Sequence, residues 1–239
     1  MADEVLKILR EEGIDVLVGS VAKRVRNRGT EIEVEFENSK ISGTHLLLGA
    51  GQTPNTERLN LQAAGVDVDE RGYVKVNDKL ETTAKGVYAI GDVKGGPAFT
   101  HISYDDYRIL KANLLEGQDK SITGRMVPYC MFIDPQLARI GMNEMEAQAK
   151  GIPHRVAKML MTHVARAWET NEKQGFVKAI IDTKSGQILG ATVLGPEGGE
   201  TMSQIQLAMM GGLTASTLAD AIFAHPTMAE LWNNLFSQT

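Results

Sequence analysis

Residues 83–92 read Thr-Ala-Lys-Gly-Val-Tyr-Ala-Ile-Gly-Asp, and no other stretch constrains this chain as tightly. The apolar run Val87–Ile90 stops abruptly at Gly91-Asp92. A short apolar run with this ending predicts a buried strand whose last residue opens onto a ligand. Glycine at 91 lets the backbone approach something bulky. Asp92 then places a carboxylate where a sugar or polyol hydroxyl could donate to it.

Around this stretch the chain reads as alternating short elements. Residues 3–12 carry Val5, Leu6 and Leu9 at helical spacing, with Gly13 as a stop. Ile14–Val18 predicts a short strand, Val21–Asn27 and Glu31–Glu37 a hairpin, and His45–Leu48 another buried strand running into Gly49-Ala50-Gly51-Gln52-Thr53-Pro54-Asn55. Leu59–Val66 reads as a short helix and Gly72–Val76 as a strand. Ser103–Leu115 reads as a helix that starts near Phe99-Thr100-His101 and stops at Gly117. A helix start offers free N–H groups and the positive dipole end to an anion or an electron-rich carbonyl. Asp105-Asp106 lie early enough in this helix to suit its dipole.

A composition shift over Asp119–Arg125 marks a linker, and a new unit begins at Met126. Pro128–Pro135 predicts a strand ending in a proline turn. Asn143–Lys150 predicts a helix with Asn143 as N-cap and Gly151 as stop. Phe176–Asp182 and Ile188–Leu194 predict strands joined by Thr183-Lys184-Ser185-Gly186, with helices over Glu200–Met210 and Leu218–Ala221. Trp232, Leu235 and Phe236 recur at helical spacing, as a core stripe or an interface. This order of elements predicts an α+β domain.

Charge and cysteine usage narrow the function classes. The net charge is -5 and no Lys/Arg stripe stands out, which argues against a nucleic-acid partner. The densest basic cluster, Lys23, Arg24, Arg26 and Arg28, precedes Glu31, Glu33, Glu35 and Glu37 at period two, as the solvated faces of a hairpin would. Cys130 is the only cysteine, so neither an internal disulfide nor a cysteine-rich metal site is available, and a buried inert thiol is expected. No pair of histidines has metal-ligand spacing. No run approaches the ~20 apolar residues of a membrane span, and the chain opens without an apolar signal region, so a cytoplasmic setting and no membrane partner are expected.

Thr227-x-x-Glu230 supports two readings. As a capping box, Thr227 would be an N-cap and Glu230 would sit at N3, leaving His225 a loop residue. Alternatively, His225 beside a carboxylate is a pair suited to proton transfer near neutral pH.

The 83–92 stretch, with Gly95-Gly96-Pro97 after it, resembles the second FAD-binding motif of the pyridine nucleotide–disulfide oxidoreductases, the family of dihydrolipoamide dehydrogenase and mercuric reductase. The resemblance implies that Asp92 holds a ribitol hydroxyl of FAD, that Gly91 permits the approach, and that Thr100 and His101 lie at the flavin edge. Ala50 and Gly51 would lie near the nicotinamide side. Gln52 stands where the family usually has arginine, which removes that residue's charge. Gly175-Phe176-Val177-Lys178, Asp182, Ile188–Ala191 and His225-Pro226-Thr227 with Glu230 resemble the family's dimerisation domain. There His225 would be the general acid/base for the partner's thiols and Glu230 would orient it.

The implied fold is α/β plus α+β: a partial FAD/NAD(P)-binding Rossmann-like region, then an α+β dimerisation domain. Its segments would be 1–51, the C-terminal part of an NAD(P)-binding domain; 52–125, the C-terminal part of an FAD-binding domain; and 126–239, the dimerisation domain of a homodimer. The family's two Gly-x-Gly-x-x-Gly loops and its cysteine pair are absent from these residues. The expectation is therefore a truncated C-terminal portion, inactive alone, with an incomplete parallel sheet. In the intact enzyme, hydride would pass from NAD(P)H to FAD, and electrons would go on to a disulfide, thiol or metal-ion acceptor. The rival expectations are a non-catalytic homodimeric interaction module, or one half of a split flavoenzyme.

Overall fold

The structure, a computed structural model, describes residues 1–238. It divides into two compact units. One is formed by Met1–Val76 with Glu81–Gly95, the other by Asn77–Leu80 with Gly96 onward.

The first unit opens with helix α1, Ala2–Glu11, which buries Ile8 and carries Asp3 and Glu4 in its first turn, where the dipole favours acids. Strands β1 (Arg24–Asn27), β2 (Ile32–Glu35) and β3 (Lys40–Gly43) form an antiparallel meander in the order β1-β2-β3. The expected hairpin is present. Arg26 stands opposite Glu33 in the register, and Arg28 pairs with Glu33 at 3.1 Å, so the alternating charges form cross-strand ion pairs. Strand β3 extends the hairpin beyond what its sequence predicted. A small core of Val66, Val74 and Ala89, packed by Leu61, Val76, Ala84 and Val93, holds the rest of this unit.

Several expected elements here take other forms. Leu59–Val66 contains only a 3-10 turn, Leu61–Ala64, closed by Gly65 at φ 70°. Gly72–Val76 and Val87–Ile90 are not ladder strands: they contribute the isolated antiparallel bridges Val68–Val74, Val76–Thr82 and Glu81–Tyr88. Ile14–Val18 and His45–Leu48 are neither strands nor buried, and Leu47 is 94 % exposed. An extended apolar run becomes a strand only when a neighbour accepts its backbone hydrogen bonds. Among the described residues these runs have no such neighbour, and no parallel pairing forms.

The second unit starts from helix α2, Thr100–Leu115, three residues longer at its start than expected. Its buried Ile102, Asp106, Ile109 and Ala112 recur at helical spacing. Asp106 is fully buried and does not merely complement the dipole. Arg125, in the linker segment, reaches its Oδ1 at 2.6 Å and Asp105 at 3.4 Å.

A five-stranded antiparallel sheet follows, in the order β4-β5-β8-β7-β6. Its strands are β4 (Tyr129–Met131), β5 (Leu137–Gly141), β6 (His154–Leu160), β7 (Phe176–Asp182) and β8 (Ile188–Leu194). Strands β7 and β8 occupy the residues their sequence predicted, whereas β5 and β6 were not foreseen. The backbones of β5 and β8 come so close at Gly190 that a Cβ there would lie 2.1 Å from the Met142 carbonyl oxygen.

Helix α3 (Glu144–Ala149) has the predicted cap. Asn143 accepts from the Glu146 N–H, and Glu146 accepts from the Asn143 N–H. Helices α4 (Ala165–Glu169), α5 (Gly198–Met210), α6 (Ala215–Ala219) and α7 (Glu230–Ser237) complete the unit. Their buried faces share one core with the sheet, centred on residues such as Val177, Val193, Ile205 and Leu231. Trp232 is 1 % exposed and its indole N–H donates to the Thr201 carbonyl at 3.1 Å. The Trp232-Leu235-Phe236 stripe is thus core. Among the described residues no helix is long and apolar enough to cross a membrane.

Candidate functional site

Asp92 sits in a 3-10 turn, Gly91–Lys94, between two glycines with positive φ, 71° at Gly91 and 73° at Gly95. A side chain at either position would be strained. At Gly95 a Cβ would also lie 3.2 Å from Cγ of Tyr73. The turn closes through the Gly95 N–H, which donates to the Asp92 carbonyl at 3.0 Å. The Asp92 side chain is exposed, and its Oδ2 accepts from Nε2 of Gln52 at 3.4 Å. The Gln52 carbonyl in turn accepts from the Tyr73 hydroxyl at 3.3 Å. These residues line a cleft of about 310 Å³ together with Thr53, Pro54 and Asn55. Asp92 therefore faces a cleft lined mostly by polar side chains. The sequence marked Gln52 only as a departure from the family motif, and nothing in it tied Tyr73 to Asp92. Ala50 and Gly51 are exposed, in an irregular segment where Gly51 has φ 99°.

Thr100 and His101, in the second unit, are the first two residues of α2. The His101 Nε2–H donates to the Pro128 carbonyl at 2.8 Å. Its ring stacks on Phe99 at 5.1 Å, and Phe99 stacks on Tyr129 at 6.1 Å. These contacts fix the helix start against β4. Thr100, His101, Tyr129, Cys130, Gln136 and Glu200 line a cavity of about 530 Å³. Cys130 is half-buried there, short of the full burial expected for it. Desolvation, then the Glu200 carboxylate, push its thiol above the usual range.

His225 and Glu230 are brought together. Nδ1 of His225 lies 3.0 Å from Oε1 and 3.2 Å from Oε2 of Glu230. Oε2 also accepts the Thr227 N–H at 3.0 Å. That backbone bond, the largest cause, holds the Glu230 carboxyl below the usual range; desolvation opposes it, and the His225 bond and charge add smaller lowering contributions. Half of the capping box is formed. Glu230 accepts the Thr227 N–H, while the Thr227 hydroxyl donates instead to the Ala224 carbonyl at 2.7 Å and α7 begins after Ala229. One carboxylate thus serves both a turn and an imidazole. Among the described residues no group of three His, Cys, Asp or Glu side chains could hold a metal ion.

Comparison with known proteins assigns both parts of the chain. Residues 1–106 match the pyridine nucleotide-disulphide oxidoreductase family, and residues 127–236 match the pyridine nucleotide-disulphide oxidoreductase dimerisation domain. The chain belongs to this family. RclA of Escherichia coli is 37 % identical over 238 residues, which are 99 % of this chain and 54 % of that protein. Its solved structure, described as an HOCl-induced flavoprotein disulfide reductase, superposes with a TM-score of 0.94 at 38 % identity, covering 99 % of this chain and 55 % of that one. The dihydrolipoyl dehydrogenase of Geobacillus stearothermophilus is 30 % identical over 97 % of this chain and 50 % of its own length. The mercuric reductase of Bacillus cereus is 31 % identical over 96 % of this chain and 37 % of its own. The chain spans about half the length of the relatives it matches, or less. The family assignment agrees with the mixed α/β architecture, a Rossmann-like region followed by the dimerisation domain.

Proposed function

We propose that this chain carries the flavin-contacting turn and the proton-transfer pair of an FAD- and NAD(P)H-dependent oxidoreductase that acts as a homodimer in a reducing, cytoplasmic setting. The observation that carries the reading is the His225–Glu230 bond of 3.0 Å, with the second Glu230 oxygen held by Thr227. A carboxylate that stays ionised at neutral pH accepts from an imidazole N–H, so Nδ1 of His225 keeps its proton. Nε2 is then the atom that gives or takes a proton, as an acid/base serving a thiol requires.

The residues on the first unit fit a flavin. Asp92 lines a polar cleft, and its carboxylate can accept from a ribitol hydroxyl, while Gly91 leaves no side chain in the way. Gln52 orients the carboxylate. Thr100 and His101 would present the α2 start to the flavin edge, and Ala50 and Gly51 would lie toward the nicotinamide. FAD, when bound, supplies a two-electron relay between nicotinamide and acceptor. The acceptor class is a disulfide, thiol or metal ion, in keeping with the disulfide reductase and mercuric reductase names of the relatives. Residues 1–51 would belong to the NAD(P) side, 52–125 to the FAD side and 126–239 to the dimer.

The test is titration of the purified chain with FAD, following flavin fluorescence and absorbance near about 450 nm, beside Asp92→Ala. Binding that weakens by about tenfold in the variant, as loss of a charge-assisted hydrogen bond predicts, supports the reading. A chain that sediments as a dimer yet leaves the flavin signal unchanged overturns the flavin assignment and favours a non-catalytic interaction module.

A further inference from the structure

His225 and Glu230 sit on different pieces of structure. The carboxylate is on the first residue of α7, while the imidazole is on the ten-residue loop from Asp220 to Ala229 that joins α6 to α7. The loop tip is exposed, and Ile222 is 100 % accessible. The hydrogen bond of one exposed imidazole is too weak to hold such a loop against its own entropy. Something else must fix the loop's stem.

Asn233 does so. It lies three residues after Glu230, on the same side of α7, and is half-buried. Its Nδ2 donates to the Ala219 carbonyl at 2.9 Å and to the Ala221 carbonyl at 3.4 Å. Ala219 is the last residue of α6, so its carbonyl is one that the helix itself leaves without an intrahelical partner. One amide therefore ties the end of α6 and the start of the loop to the helix that carries Glu230. Beyond this point Phe223 packs on the core, and the Thr227 hydroxyl pins the Ala224 carbonyl at the other end.

The geometry points to Asn233 as a positioning residue for the proton-transfer pair: by fastening the loop stem to α7 it keeps Nδ1 of His225 in register with the Glu230 carboxylate. This rests on the reading of His225 and Glu230 as that pair. A side chain without amide donors would let the loop drift, and His225 would lose the partner that fixes its tautomer.

The experiment is nitrogen NMR of the imidazoles in the full 239-residue chain, with amide exchange of Thr227 as a second readout. In the unsubstituted chain His225 gives the Nδ1–H tautomer. Asn233→Asp keeps the shape but cannot donate to a carbonyl, and Asn233→Ala removes the contact with no new charge. In both, the Nδ1–H signature gives way to the Nε2–H tautomer, and the Thr227 N–H exchanges about fivefold faster, the factor of one lost hydrogen bond. Ile205→Val, a core truncation that costs stability without touching the loop, changes neither. Unchanged tautomer and exchange in both Asn233 variants, or equal changes in Ile205→Val, overturn the proposal. The readout needs no flavin, so failure of FAD binding and failure of the positioning role are seen separately.

Discussion

Oε2 of Glu230 accepts the Thr227 N–H at 3.0 Å while Oε1 lies 3.0 Å from Nδ1 of His225, five residues earlier in the chain. One carboxylate thus closes the turn at the start of α7 and aims the imidazole. The Thr227 contact and the His225 contact coexist on the two oxygens of a single side chain.

The pH dependence follows from the sign of the Glu230 shift. Its folded pKa lies below the ordinary value of 4.5, so its contribution is present in full above that value and is lost as pH falls through the lower folded one. Glu230→Gln is expected to lower Tm by about 2–4 °C at neutral pH, with the gap closing as pH drops below the ordinary glutamate value. Thermal scans of both proteins from neutral to acid check this, and a gap that widens in acid would contradict it.

Burial and the Glu200 carboxylate disfavour the Cys130 thiolate. Cys130 is the chain's only cysteine, so alkylation reports on it alone. Iodoacetamide is expected to label it more slowly than a cysteine in a short peptide at pH 8, with the rate still climbing at pH values where the peptide has levelled off. Mass spectrometry over a pH series measures both curves.

Asp106 is fully buried and Arg125 only 14 % exposed in its side chain, with 2.6 Å between them. Arg125→Met leaves the carboxylate buried without this cation and is expected to cost about 3 kcal/mol, whereas the double variant Asp106→Leu with Arg125→Met recovers most of the loss. Denaturant midpoints of the three proteins decide it. Equal losses in the single and double variants would show that the pair matters through packing alone.

Gly190 is a point of backbone contact between β8 and the end of β5. Because an added Cβ would lie 2.1 Å from the Met142 carbonyl oxygen, Gly190→Ala must push the two strands apart, at a cost of about 1–3 kcal/mol. Gly186→Ala provides a contrast, since the nearest atom to its Cβ would be 3.7 Å away and only its φ of 72° opposes the change. A Gly190 variant as stable as the parent would refute the close approach.

Strands whose apolar residues are continuous and buried were legible in the sequence: β7 and β8 lie inside the sheet, where Val177, Ala179, Val193 and Leu194 are fully buried. Strand β6, at the sheet edge, has the mixed sequence His154-Arg155-Val156-Ala157-Lys158-Met159-Leu160 and buries only Ala157 and Met159, so its pattern was too sparse to read. The opposite error came at Ile14–Val18 and His45–Leu48. Their composition is that of strands, but strand formation depends on a neighbour's hydrogen bonds, which local sequence does not encode.

By itself the sequence determined the Gly91-Asp92 turn, the glycine-terminated helices and the proximity of His225 to Glu230, because each depends on residues within a few positions of one another. The partners that give these residues their chemistry come from far away along the chain. Gln52 meets Asp92 across 40 positions, and Arg125 meets Asp106 across 19. Which distant side chain ends beside which carboxylate is fixed by how the helices and sheet bury their apolar faces, and that is a property of the packed chain as a whole.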